Sequence, residues 1–237
     1  MIFIIVIAVT FILSVAAHEA GHLIAAKRRG VKVSAYSIGM GPKLVSFRWH
    51  GIDWCLKLLP LGGSCSIDGD DMDSLKPRSK VAIFFAGVAV NFAIALIAIA
   101  ISLILGGNFS VGAFFAELFD ILGLASRAIP EAVSTAVTTT ESTINTLGTD
   151  LSAAAAVIPK TRYAQIACLI IADLNIILGG LNILPFPGLD GGQIAFTIPE
   201  FFGYKVPERI VKKATNISLF ILLGFSLLVM LKDFILL

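Results

Sequence analysis

Apolar residues run together in four stretches of the chain, at 1–26, 81–105, 164–184 and 214–231. Each is long enough to cross about 30 Å of hydrocarbon as a helix. Between the first two stretches the pattern changes to alternation. Val31 to Ile38, Lys43 to Trp49 and Ile52 to Leu58 alternate as strands do. His50-Gly51 suits a tight hairpin turn, while Gly39 and Gly41 punctuate one end of the region and Gly62-Gly63 the other. The pattern predicts a small membrane-associated antiparallel sheet over 31–67, whose Tyr36, Ile38, Phe47, Trp49 and Trp54 contact the membrane or the helices. Within 106–163, Phe114, Phe115, Leu118, Phe119, Leu122 and Ala125 recur at helix spacing and predict an interfacial helix over 113–130. Residues 131–158 are rich in Thr, Ser and Ala and only weakly periodic.

Composition narrows the class. The 237 residues are 57% hydrophobic and 14% charged, with a mean hydropathy of +0.92. A soluble domain is about 45–50% apolar and about 25% charged. Too little charge remains to cover a water-facing surface, which excludes an ordinary soluble domain and a disordered chain. The expected architecture is a polytopic α-helical membrane protein, one membrane-embedded domain over 1–237. A signal peptide at the N-terminus is the rival reading of 1–26, and it lacks a basic start and a small-residue cleavage site. Cys55, Cys65 and Cys168 form no CxxC pair and read as small, partly buried thiols. The net charge of +2 and the absence of a basic cluster beyond Lys27-Arg28-Arg29 exclude nucleic acid as a partner.

Charge also orients the chain. Of 18 Lys and Arg, ten fall in 27–80 and four in 185–213, connections that an even number of crossings puts on one side. The positive-inside rule makes that side cytoplasmic. The N-terminus and the 106–163 segment are then extracytoplasmic, in a cell (cytoplasmic) membrane.

The chemistry is concentrated in His18-Glu19-Ala20-Gly21-His22, an HExxH pattern near the end of the first apolar stretch. Residues i and i+4 share a helix face, so two imidazoles there can hold one Zn²⁺. Glu19 can reach a water beside the metal as general base. Ionisable side chains inside an apolar span are costly and read first as functional. A zinc protease site takes a third protein ligand and leaves one position open. The third histidine, His50, sits in the predicted turn and reads as solvent-exposed. Asp190 is the better third ligand. It lies in Pro/Gly-rich, non-helical backbone over 185–192 that ends the third apolar stretch, and irregular backbone at membrane depth lines a cavity.

These residues resemble the paired motifs of the site-2 protease family of intramembrane zinc metalloproteases. His18 to His22 and Asn182 to Gly192 carry the resemblance, on the first and third crossings. Ser37 to Pro42 followed by Leu59 to Gly63 looks like that family's β region. Ala86 to Phe92 looks like its GxxxN segment, and Pro207-Glu208-Arg209 like its link to the fourth crossing.

The resemblance implies that His18, His22 and Asp190 ligate zinc, and that Glu19 activates water. It implies substrate contacts for Asn182, with Asn91 as a second polar contact and Pro185 and Pro187 as further substrate-binding residues. The implied function is hydrolysis of a peptide bond within or near the transmembrane segment of a single-pass protein, such as an anti-sigma factor, a signal-peptide remnant or a pheromone precursor. Lipid and a transmembrane substrate are the implied partners. The sequence departs from the family where a PDZ domain of about 90 residues would stand, because 106–163 is too short for one. Asp173 adds an acid to the third crossing, read as interfacial near its outer end. Two other readings remain. One is a membrane zinc protease with a distant Glu ligand, which lacks its ExxxD set here. The other is a non-enzymatic zinc-binding module that holds partner helices, for which Glu19 would be unnecessary.

Overall fold

The computed structural model describes residues 2–123 and 162–235. Helix α1 (Ile2–Arg28) is apolar but for Thr10 and Ser14 until its last three turns, and Lys27 and Arg28 complement the dipole at its C-terminus. Gly30, at φ 75°, ends it. Strands β1 (Val33–Trp49) and β2 (Ile52–Ile67) follow, joined by His50 and Gly51 at φ 49° and 77°. Both residues have the positive φ of a two-residue hairpin turn, as predicted.

The strands depart from expectation in their extent. The predicted runs at 31–38 and 43–49 form one strand, bent where Gly39 and Gly41 take φ 90° and 88°. Glycine bends the chain there without breaking the ladder. Residues 59–67, read only as a glycine boundary, belong to β2. The bend lets β1 use both of its edges: Tyr36 lies opposite Cys65 on one side and Trp54 on the other.

A short helix, α2 (Gly69–Ser74), is capped by Asp68, whose carboxylate accepts the Asp71 N–H at 3.1 Å. Helix α3 (Pro77–Leu105) starts four residues before the apolar stretch, because Pro77 is pre-set for the first helical position. Helix α4 covers 111–123, and the Ser110 hydroxyl accepts the Ala113 N–H at its start. Residues 124–130 of the predicted interfacial helix, and the 131–158 stretch, lie outside the described residues. Helix α5 (Tyr163–Ile183) stops at Leu184, which precedes Pro185. Then come α6 (Asp190–Thr197), a 3₁₀ turn (Ile198–Phe202) and α7 (Glu208–Ile235).

Among the described residues, three helices are long and apolar enough to cross a membrane: Ile5–Arg28, Pro77–Leu105 and Tyr163–Ile183. Leu13, Ile97 and Ile104 on α1 and α3 are each more than half exposed, the arrangement expected of lipid-facing sides. The fourth expected crossing, 214–231, falls inside α7 and is not among the three.

Apolar packing gathers in two clusters. One joins α1 to the sheet and α3 through Leu23, Ala26, Val33, Tyr36, Ile52 and Ile83. The other joins α3, α4 and α5 through Ala95, Ala98, Ile99, Leu103, Ile121, Ala172 and Ile176. Asn175 of α5, fully buried, donates to the Ser14 hydroxyl and the Ile171 carbonyl at 2.8 Å each, tying α5 to α1. Its neighbour Asp173 is half-buried and lies in the electrostatic reach of Glu117 on α4.

Candidate active site

The HExxH helix turn lies deep in the molecule. His18, Glu19 and His22 are all buried. The two imidazoles meet edge to face, with their Nε2 atoms 3.2 Å apart. Asp190 closes the group, its Oδ2 at 2.9 Å from His18 Nε2 and 3.3 Å from His22 Nε2.

These three atoms fit a zinc ion. Tetrahedral ligands at about 2.0–2.1 Å from Zn²⁺ stand about 3.4 Å from one another. The His22 Nδ1–H donates to the Ile83 carbonyl at 2.8 Å, which leaves Nε2 with its lone pair facing inward. Asp190 Oδ2 is buried with no donor other than the two imidazole nitrogens, so a proton or a cation must sit between them. Burial pushes the Asp190 carboxyl up, but its contacts with His18 and His22 outweigh that and hold it below the usual carboxylate range. An ionised carboxylate is the form a metal needs.

Glycine brings the backbone this close. A Cβ on Gly87 of α3 would stand 2.5 Å from His22 Nε2 and 2.7 Å from His18 Cε1. A Cβ on Gly21 would stand 2.7 Å from the Ala86 carbonyl oxygen, so α1 and α3 touch at the backbone. On the β2 side, a Gly63 Cβ would fall 2.6 Å from Glu19 Cγ. The Cys65 backbone lies beside the Glu19 carboxyl. Burial, and then the Glu19 charge, push the Cys65 thiol up to about 12.

Asp190 reaches the imidazoles by a tight reversal after α5. The expected irregular loop over 185–192 ends earlier than predicted: Asp190 is the first residue of α6, with Gly191 and Gly192 inside that helix. A Cβ on Gly191 would lie 2.2 Å from the Ile183 carbonyl oxygen, and one on Gly192 2.3 Å from that of Phe186. The helix therefore starts directly on the end of α5, where only glycine fits. Its dipole favours the carboxylate at its first position.

The other expected residues are dispersed. Asn91 is fully buried on α3, one turn beyond Gly87, and both its amide atoms lack partners among the described residues. It packs toward Gly179 of α5. Asn182 is half-buried at the end of α5 and makes no hydrogen bond with the His–His–Asp group among the described residues. Pro185 is exposed and Pro187 half-buried in the loop that follows. His50 is exposed at the hairpin turn, away from the group. The roles of Gly21, Gly63 and the Ile83 carbonyl escaped the sequence reading. Small residues facing one another on two spans were the available signal for the glycines.

Known proteins place this arrangement. The chain is 38% identical over 117 residues to the zinc metalloprotease Rip1 of Mycobacterium bovis, covering 44% of this chain and 29% of the relative. It is 40% identical over 70 residues to the zinc metalloprotease RasP of Bacillus licheniformis, covering 29% of this chain and 17% of the relative. The matched stretches thus span less than a third of these relatives' lengths. The sequence model of peptidase family M50 matches residues 6–225, nearly the whole chain. Its match takes in both the HExxH turn and the Asp190 loop, and the chain belongs to peptidase family M50, the site-2 protease family.

Proposed function

We propose that this chain is a zinc-dependent endopeptidase that cuts a single-pass membrane protein within or beside its transmembrane segment. One observation carries the reading. Glu19 is buried next to three converging ligand atoms, on a helix apolar enough to cross a membrane. A purely structural metal site has no use for an additional buried carboxylate. The zinc metalloprotease names of its relatives support the same chemistry.

His18, His22 and Asp190 would hold the ion, which when bound polarises the scissile carbonyl and lowers the pKa of the attacking water toward about 7. Glu19 takes the proton of that water on its carboxylate and passes it to the leaving amine. The Ile83 carbonyl keeps the His22 ring oriented through the cycle. Among the described residues, 63–67 of β2 pair with β1 on one edge only, and Gly63 on that stretch lies against Glu19. The open edge is the place for an unwound substrate to add as a strand, because a helical peptide bond is shielded from attack. Asn182, Asn91, Pro185 and Pro187 are proposed contacts for that segment, Asn91 having amide groups still to satisfy.

The charge distribution supports a cytoplasmic position for this end of the bundle, with the N-terminus outside and α7 as a fourth crossing. His18 lies about 27 Å along α1 from an outer start, toward the inner leaflet. The substrates suited to such a site include anti-sigma factors, signal-peptide remnants and pheromone precursors.

The test is Glu19→Gln in the full chain, co-expressed with a single-pass reporter. Zinc content should be unchanged, and cleavage should fall by about 10²–10⁴-fold. Undiminished cleavage by this variant overturns the proposal.

A further inference from the structure

Beside the candidate active site lies a cavity of about 370 Å³ that the chemistry above does not use. It adjoins the site on three sides. Cys65, which lines it, lies beside the Glu19 carboxyl. Phe84 lines it and follows Ile83, the acceptor for His22. Gln193 lines it three residues after Asp190.

Its charge runs against that of its surroundings. The two connections that build this end of the molecule, 27–80 and 185–213, hold fourteen basic and eight acidic residues. Four of those acids, Asp70, Asp73, Glu200 and Glu208, line the cavity, but only two of the bases, Lys80 and Lys205. The acids differ in availability, and Glu208 is already paired with Lys212 at 2.6 Å. Lys80 is buried and holds both Glu200 oxygens at 2.8 and 2.9 Å. Breaking that pair would leave an uncompensated buried charge, so Glu200 is committed to the fold. Asp73 is exposed and pairs with the exposed Lys205 at 2.6 Å and, more distantly, with Lys80 at 3.9 Å; its pair with Lys205 is the exposed one and exchanges partners at little cost. Asp70 is exposed and makes no ion pair among the described residues.

We infer that this cavity is a specificity subsite for the basic juxtamembrane flank of the substrate, with Asp70 and Asp73 meeting its lysine or arginine. The inference rests on the protease reading and on its cytoplasmic orientation. A membrane-crossing segment carries its Lys and Arg residues at its cytoplasmic end. A substrate strand lying along 63–67 beside Glu19 leads at Cys65 directly into the acidic cavity. An incoming cation then displaces Lys205 from Asp73 and pairs with Asp70.

The test uses the full chain with three single-pass reporters that differ only in the cytoplasmic flank, made of Lys, Gln or Glu. The wild type should cut the Lys-flanked reporter about threefold to tenfold faster than the Gln-flanked one, and the Glu-flanked one more slowly still. Asp70→Lys should remove the preference for Lys, raise cleavage of the Glu-flanked reporter and leave the Gln-flanked reporter unchanged. Lys205→Gln, which removes the nearer of the two lysine partners of Asp73, should increase the preference for Lys. Equal cleavage of all three reporters by the wild type overturns the subsite, as does an Asp70→Lys effect of equal size on each. Failure of the protease reading is distinct: a zinc-loaded wild type would cut none of the reporters, and the subsite would fall with it.

Discussion

Around Leu23, Tyr36 and Ile83 the chain packs a helix against a sheet and a second helix, whereas around Ile99 and Ala172 three helices meet through buried alanine, isoleucine and leucine, with Phe92 and Phe114 packed against them. The first region is crowded with polar atoms. Tyr36 donates its hydroxyl to the Ala16 carbonyl, His22 donates to Ile83, and Gly87 and Gly63 press backbone against His18, His22 and Glu19. The second region has no chemistry to position. Between lipid-embedded helices there is no hydrophobic driving force of the kind found in water, so small residues such as Ala95, Ala98 and Ala172 serve close approach. Distances around the active site are fixed by what glycine leaves open. Distances in the helical cluster are fixed only by how well volumes fill.

The sharpest break in this contrast is Asp190→Ala. It should leave the helical cluster intact, leave zinc substoichiometric by elemental analysis of purified protein and abolish reporter cleavage. Full zinc retention would remove Asp190 from the ligand set.

Next is the thiol of Cys65, raised to about 12 from an ordinary 9.0 by burial and then by Glu19. Thiolate is the reactive form, and it gains population only as pH rises toward the pKa. At pH 8 alkylation of Cys65 should therefore run about a thousandfold slower than that of the same cysteine in denatured protein. Glu19→Gln should speed it. Ordinary reactivity would show that Cys65 is not buried beside Glu19, and a rate that Glu19→Gln leaves unchanged would separate 63–67 from that carboxylate.

Gly87→Ala follows, because its Cβ would meet His22 Nε2 at 2.5 Å. Zinc affinity, read by competition with a chelator, should weaken about 10–100-fold, the scale of a disturbed ligand support. Unchanged affinity would mean that α3 can retreat and that the close approach is incidental.

The smallest effect belongs to the other region. Ala98→Leu overfills the helical cluster and should cost about 1–3 kcal/mol, seen as a lower melting temperature in detergent. Zinc stoichiometry and cleavage per folded molecule should stay at wild-type values. A loss of zinc in this variant would couple the two regions and erase the distinction between them.

The sequence was most legible where one residue type has few reasons to be present. Long apolar stretches locate the three membrane-length helices to within about four residues at each end, because backbone groups in hydrocarbon must be bonded within the segment. His18, Glu19 and His22 stand out because such residues are costly in that setting, and their i, i+4 spacing already implies a shared ligand. The hairpin turn at His50-Gly51 was legible because only a few dipeptides accept positive φ twice.

Other features depended on neighbours far along the chain. That Asp190 begins a helix, despite Gly191 and Gly192, follows from the carbonyls of Ile183 and Phe186, which leave no room for a Cβ. The bent course of β1 and the extension of β2 to Ile67 follow from glycines that turn the strand while both of its edges stay paired. Asp173 and Asn175 are two residues apart, yet one faces Glu117 on α4 and the other Ser14 on α1.

By itself, then, the sequence determined a membrane-embedded chain with two imidazoles and a carboxylate on one helix turn, because hydropathy and helical periodicity are local. Only the tertiary structure decided how closely Asp190, already singled out in the sequence, approaches the two imidazoles, that glycines on α3 and β2 wall the group in and that an acidic cavity opens beside it. Those facts are distances between residues up to 172 positions apart, and no local pattern encodes them.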